Sequence, residues 1–375
     1  MRILKYIAAA VALAILPIKV SAEERTPSYV LMEMTTGTVI SESGADESVP
    51  VGTMCKLMTV LLAAEEIDSG RIKTEDTVKV SAAANAMQGA QIWLMPGEEI
   101  TVDELLKGVI IGNANDASVA LAETVCGSEE KFVARMNSRA AELGMVNTKY
   151  TNCCGYYDED KQVSSARDMG ILCCELYKYD FLRGYFTTRL DYIRGGATQI
   201  LNSNKLTEKY SGLCGFKAGF GEVSGRCAAV AAERDGEAYA AVLLGYDDED
   251  EMFSLAKRLL NTGFDSYCVF RPQLPEDIPS EIEVKGGIGK TVPVDYGYVR
   301  SVVVSNGGAK SITSRAILPD CVYAPVKKGD KLGEVHFYMD DSFIFSSDIL
   351  AADDAEQLTS AKMFGILLKK LISFS

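Results

Sequence analysis

The chain has 375 residues, 47% apolar and 24% charged, which is room for about two globular domains with cores of their own and excludes disorder over most of its length. Its net charge of −14 argues against a nucleic-acid-binding surface. A single histidine, His336, rules out a multi-histidine metal site and leaves any histidine-based nucleophilic triad resting on that residue alone.

In chain order, residues 1–22 read as an export signal. Arg2 and Lys5 give a positive start, an apolar run covers 7–17, and Val20, Ser21 and Ala22 form the small-x-small pattern of a cleavage site, expected after Ala22. The run is shorter than the ~20 residues of a spanning helix, and an uncleaved anchor, the alternative, would export the rest of the chain equally. Arg2, Lys5 and Lys19 leave with the signal, so the mature chain is more acidic still. Ten cysteines in an exported protein suggest disulfides, but Cys153 with Cys154 and Cys173 with Cys174 are adjacent pairs and no Cys-x-x-Cys occurs. The spacing favours small buried residues over a disulfide framework and leaves one or two bridges open.

Residues 29–40 read as a strand, a turn at Thr35, Thr36 and Gly37, and a second strand, a β-hairpin. Over 56–66, Leu57, Val60, Leu61 and Ala64 recur at helical spacing, and Met58 and Leu62 make that helix buried on most sides. Thr101 and Glu104 form a capping box for a helix through 111 that Gly112 ends. A polar link, 113–116, leads to a helix over 117–125; its side chains are expected to be rigid yet exposed. Further helices are expected over 130–144, 165–178 and 252–262. The runs 225–233 and 237–246 read as strands joined at Arg234, Asp235 and Gly236. Residues 215–219 lead into that pair, and the first and last strands are expected to close one antiparallel sheet.

Residues 272–347 are rich in Val, Gly, Pro and Asp without helical period and read as a small all-β unit. In the last segment Phe364, Leu367, Leu368 and Leu371 share a helical face, with Met363, Ile366 and Ile372 beside it and Lys362, Lys369 and Lys370 adding positive charge. That pattern reads as a helix lying in an anionic membrane surface, the alternative being a helix packed on the protein or on a partner. The expected organisation is a signal at 1–22, an α/β domain at 23–270, a β-rich domain at 271–350 and an amphipathic anchor at 353–375.

Three segments carry the chemistry. Thr53, Met54, Cys55 and Lys56 open the first buried helix; Asn113, Ala114 and Asn115 lie on the interhelical link; Lys217, Ala218 and Gly219 precede the strand pair. Their order and spacing resemble the S-x-x-K, S-x-N and K-T-G set of penicillin-recognising enzymes. Longer stretches extend the likeness, among them Gln91 with Trp93, Pro96 and Gly97, the run beginning Asn115 and Asp116, Ala166 with Arg167 and Asp168, and Asn202 with Ser203 and Asn204. The chain is identified as a member of the D-alanyl-D-alanine carboxypeptidases, the low-molecular-weight penicillin-binding proteins. The resemblance implies an α/β (α+β) penicillin-binding, serine β-lactamase-like domain with an antiparallel sheet flanked by helices, a C-terminal all-β domain and an amphipathic helix on the outer face of the cytoplasmic membrane. It implies removal of the terminal D-alanine from peptidoglycan stem pentapeptides through an acyl-enzyme, reactivity toward β-lactams, and no cofactor or metal. By the same resemblance Asn115 holds the substrate backbone, Lys217 meets the terminal carboxylate and the N–H of Phe220 is an oxyanion donor, with Ala218 and Gly219 completing the substrate-binding strand.

The residues support that chemistry independently. A hydroxyl is a weak nucleophile at neutral pH and needs an adjacent base. The i, i+3 spacing puts the hydroxyl of Thr53 and the amine of Lys56 on one helical face, and burial can lower a lysine toward working pH. Three hydroxyl positions of the set are nevertheless altered: Thr53 stands for the serine nucleophile, Asn113 for the second serine and Ala218 for the threonine. Thr53 keeps a hydroxyl but adds a χ1-restricting methyl. Asn113 offers an amide to Lys56 or substrate in place of a hydroxyl relay, and Ala218 gives up a hydrogen bond to the carboxylate worth roughly 1.5–3 kcal/mol. Two readings follow: a carboxypeptidase working through Thr53, Lys56 and Asn113, or a penicillin-binding fold that binds peptidoglycan or a partner without turnover. A β-lactam hydrolase is a weaker third, since no deacylating carboxylate stands out. Cys55, two residues from Thr53, is expected to pack inward, and His336 to be structural.

Overall fold

The computed structural model describes residues 26–275, 278–297, 299–307 and 312–372; the signal read at 1–22 lies outside the described residues. Strand β1 (Ser28–Glu33) turns into β2 (Val39–Ser43), the hairpin expected from the turn at Thr35, Thr36 and Gly37. The chain leaves the sheet and returns for β3 (Leu213–Gly221), β4 (Gly225–Arg234) and β5 (Glu237–Tyr246). The order is β2-β1-β5-β4-β3, antiparallel at every pairing, so β1 and β5 close the sheet and β3 is an edge. Residues 215–219, read only as a lead-in, are therefore the body of a strand. Asp235 and Gly236, at φ 53° and 82°, form the two-residue turn between β4 and β5 whose left-handed pair suits the strand twist.

The helices lie between β2 and β3 and after β5. In α1 (Lys56–Asp68) every residue from Lys56 to Ala64 is buried, as its all-round apolar pattern requires. The helix α2 (Val102–Ile110) opens on the predicted capping box: Thr101 Oγ1 accepts from the Glu104 N–H at 3.2 Å and the Glu104 carboxylate accepts from the Thr101 N–H at 3.3 Å. The following helix, α3 (Asn115–Cys126), starts two residues earlier than its apolar period suggests. Asn113 at φ 54° reverses the chain and extended Ala114 caps the helix, so Asn115 and Asp116 fall in its first turn. They are 2% and 1% exposed, which corrects the expectation of an exposed link.

The helix α4 (Ala166–Leu176) joins α1 on one face of the sheet, in a core with Val30, Met32, Ala229, Ala231 and Val242. The other face, with Leu31, Ala228, Val230, Ala241 and Leu243, is covered by Met252, Phe253, Ala256 and Leu260 of α5 (Glu249–Ser266). Burial on both faces is why β4 and β5 read as unbroken apolar runs rather than as an alternation.

Past α5 the chain is β-rich. Tyr267–Phe270 pairs with Val302–Ser305, and a second sheet of six strands runs from Glu281–Lys285 to Ser342–Ala351. Bridges at Ala355 and Gln357 carry the pairing a little further. His336 sits in this second sheet, 2.7 Å from Glu334 and edge-on to Phe343. The terminal helix α6 (Ser360–Ile372) leaves Phe364, Leu367 and Leu368 exposed; the side chains of Leu371 and Ile372 lie outside the described residues. Among the described residues no helix is long and apolar enough to cross a membrane. None of the ten cysteines is in a disulfide.

Candidate active site

The three motif segments meet where α1 abuts the free edge of the sheet. Thr53 is the second residue of a single 3-10 turn, Gly52–Cys55, that runs directly into α1. Its N–H is in the first turn, where no intrahelical acceptor exists. Its Oγ1 is buried without a protein partner. The backbone of β3 comes so close that a Cβ at Gly219 would overlap this hydroxyl. A Cβ at Gly155 would overlap the Gly52 carbonyl and lie 2.7 Å from the Thr53 nitrogen. Glycine at 155 and 219 is thus what lets two further segments close on the nucleophile.

Lys56 is fully buried. Its Nζ donates to Asn115 Oδ1 at 2.7 Å and to the Cys154 carbonyl at 2.6 Å. Burial pushes its ammonium below the ordinary lysine range, against the pull of neighbouring thiols and Asp116. Two acceptors match the two hydrogens of a neutral amine, which leaves its lone pair free to take a proton. Asn115 is fixed in turn: its Nδ2 donates to the Gln88 carbonyl at 2.6 Å and its N–H to the Ala90 carbonyl at 2.7 Å. Lys56 is held by Asn115 and Cys154, whereas Asn113, read as its amide partner, carries a buried Oδ1 with no partner in the protein.

Lys217 is 1% exposed, its Nζ also without a protein partner, and burial together with the charge of Lys56 drives its ammonium well down. Its strand partner is Ala229, which belongs to the α1-side core. Ala218, paired with Ala228, belongs to the α5-side cluster with Leu206 and is 3% exposed. Its methyl thus faces away from Lys217, a placement the motif spacing alone does not reveal. The Ala218 carbonyl points off the sheet edge, where it accepts from Ser203 Oγ at 2.5 Å. Alternation along a strand then puts the N–H and C=O of Phe220 on the same open side. Cys55 is buried and its thiol pushed up by burial, which removes it as a thiolate nucleophile.

One polar atom from each of the three motif segments, Thr53 Oγ1, Asn113 Oδ1 and Lys217 Nζ, is buried without a partner in the protein. Such atoms are costly to bury alone, and their occurrence in all three motif segments points to a ligand that would satisfy them. Sequence reasoning missed several residues that build it. Asp116 accepts from the Ile92 and Leu94 N–H groups at 3.1 and 3.0 Å, holding Trp93 between them at φ 59° and 74% exposed. The Cys154 carbonyl and Gly155 offered no chemical signal, since what they supply is backbone and the room for it.

Comparison with known proteins agrees with this geometry. Residues 17–248 match the D-alanyl-D-alanine carboxypeptidase family and residues 275–357 the penicillin-binding protein 5 C-terminal domain. The D-alanyl-D-alanine carboxypeptidase DacF of Bacillus subtilis is 34% identical over 334 residues, 88% of this chain and 86% of that protein. DacC of Escherichia coli is 28% identical over 338 residues, 88% and 84% of the two chains. Penicillin-binding protein 5 of Haemophilus influenzae superposes with a TM-score of 0.80 at 25% identity, covering 88% of this chain and 97% of that one. The chain belongs to the serine-type D-alanyl-D-alanine carboxypeptidase family, the low-molecular-weight penicillin-binding proteins.

Proposed function

We propose that the protein removes the terminal D-alanine from peptidoglycan stem pentapeptides through an ester on Thr53. The observation that carries this reading is the fully buried Lys56, whose two acceptors suit a neutral amine three residues from a partnerless hydroxyl. Lys56 takes the Thr53 proton as Oγ1 attacks the carbonyl of the penultimate residue. The N–H groups of Thr53 and Phe220 receive the oxyanion. The amide C–N bond breaks, the leaving D-alanine nitrogen takes up the proton, and water then hydrolyses the ester. Lys217 meets the terminal carboxylate. Asn115 and the open edge at Phe220 align the peptide, while Asn113 Oδ1 accepts from a substrate N–H. Ala218 contributes through its backbone, and Gly219 through the room it leaves for Thr53.

The same acylation would trap penicillins. Export by the 1–22 signal and docking of α6 on the outer face of the cytoplasmic membrane fit an acidic chain whose terminal helix exposes Phe364, Leu367 and Leu368 beside Lys362 and Lys369. The alternative, a peptidoglycan-binding module without turnover, is favoured by the shielding of Thr53 Oγ1. The deciding experiment is the intact mass of the full chain after incubation with benzylpenicillin. A one-to-one adduct that is absent from Thr53→Ala is expected. A folded wild-type chain that stays unmodified while still binding muropeptides would favour the binding module.

A further inference from the structure

One carboxylate is bonded to the turn that follows β3 and lies against the turn that carries Thr53. Glu159 lies in a short 3-10 turn, Glu159–Lys161, beyond the Cys153 and Cys154 loop. Its Oε1 accepts from the Ser224 N–H at 2.9 Å and from Ser224 Oγ at 2.5 Å, and its Oε2 accepts from the Val223 N–H at 3.3 Å. The carboxylate fits only because two glycines open the space. A Cβ at Gly221 would overlap Oε1, and a Cβ at Gly52, itself at φ 47°, would stand 3.0 Å from Oε1 and 2.7 Å from Ser224 Oγ. Gly52 immediately precedes Thr53, and Gly221 immediately follows Phe220. The Glu159 side chain is thus bonded to the turn beyond Phe220 and lies against Gly52, while its own segment is held to the nucleophile turn by the Val51 N–H, which donates to the Gln162 carbonyl at 3.1 Å.

We infer that Glu159 is a positioning residue that sets the separation of the Thr53 and Phe220 N–H groups by tying the β3–β4 turn to the nucleophile turn. The inference rests on the acyl-enzyme reading for its kinetic consequence, though not for its geometry. Its carboxylate is bound by three neutral donors, so it acts as a fixed acceptor. Oxyanion donors work only when preorganised, and a displacement of about 1 Å can cost on the order of a hundredfold. Loosening this tie is therefore expected to slow acylation more than it weakens binding.

The test uses the full chain and a fluorescent penicillin, resolving the binding constant, the acylation rate and the deacylation rate, with Tm measured beside them. Glu159→Ala is expected to slow acylation about tenfold to a hundredfold with binding within about twofold. Glu159→Gln keeps an acceptor for Ser224 and is expected to recover to within about threefold of wild type. Gly221→Ala, which intrudes on the carboxylate from the opposite side, is expected to slow acylation similarly. The double variant is expected to be no slower than the worse single one, because both break one link. Wild-type acylation in Glu159→Ala, a loss confined to binding, or multiplicative effects in the double variant would overturn the proposal. So would Glu159→Gln acylating normally but accumulating adduct, which would make Glu159 a deacylating base. If the wild type takes no adduct, the acyl-enzyme reading fails by itself, and amide hydrogen exchange decides the tie. Glu159→Ala must then speed exchange at Val223, Ser224, Thr53 and Phe220 together, and acceleration confined to Val223 and Ser224 overturns it.

Discussion

The N-terminal end of α1 and the edge strand β3 each bury a lysine, and the two are furnished in opposite ways. Lys56 has two acceptors within the protein, whereas Lys217 has none. Both ammonium groups are pushed down by burial, and Lys217 further by the charge of Lys56. The difference separates a group completed by the fold, suited to hold and release a proton, from one that the fold leaves without a partner. A carboxylate is the natural arrival, since it restores the charged form of Lys217 as it binds.

The largest expected effect breaks the first half of this contrast. Lys56→Met should slow acylation by about 10²–10⁴, the range for losing a positioned base, measured by stopped-flow with a chromogenic cephalosporin. The pH dependence sharpens it. A lysine depressed in the folded state is protonated in the unfolded chain up to its ordinary value of 10.5 but loses its proton earlier when folded. The unfolded state therefore binds more protons in that window, and the two lysines' contribution to stability rises with pH toward 10.5 and is lost as pH drops toward the depressed values. Buried thiols and tyrosines held above their ordinary 9.0 and 10.0 act in the opposite sense at high pH, so the readout is a difference: the Tm of wild type minus that of Lys56→Met should rise with pH. Wild-type acylation should likewise climb with pH to a plateau as Lys56 becomes neutral.

The second effect addresses the other lysine. Lys217→Ala should lower kcat/KM for a pentapeptide by about tenfold to a hundredfold, the value of one charge-assisted hydrogen bond. A peptide with its terminal carboxylate amidated should lose activity on the wild-type protein and lose little more on the variant. Equal losses on both peptides would separate Lys217 from the carboxylate. The smallest effect concerns the neighbouring residue. Ala218→Thr restores the motif's hydroxyl, yet the methyl of Ala218 faces the α5-side cluster at 3% exposure. Acylation is expected to stay within about threefold while Tm falls slightly from overpacking. A clear gain in rate would show that the hydroxyl reaches round the strand to the substrate.

Much of the fold was legible because single residues announce it: Thr101 and Glu104 as a capping box, Asp235 and Gly236 as a hairpin turn, the all-round apolar run of α1. The start of α3 was not, because Asn115 and Asp116 are polar at buried positions and so conceal the helical period. Strand β3 was missed for a related reason. Gly215, Lys217 and Gly219 carry no β propensity, and Lys217 and Gly219 belong to the site rather than to the sheet. Within the site, Thr53, Lys56, Asn115 and Lys217 were readable from spacing. The Cys154 carbonyl, the Ser203 contact with Ala218 and the reach of Glu159 across the fold depend on tertiary placement, and no local pattern encodes them.

The Ser203 contact has a consequence for how the molecule behaves among its own copies. An edge strand with open N–H and C=O groups is a template on which another chain can add a strand and begin to stack. On β3 the Ala218 carbonyl is already engaged by Ser203, Cys214 and Phe216 on the same edge are buried, and the strand ends at Gly221, so the accessible ladder is reduced to the neighbourhood of Phe220. That length is enough to align a short peptide and too short to nucleate a sheet between two molecules. An edge that short can stay exposed and still resist pairing between copies of the chain.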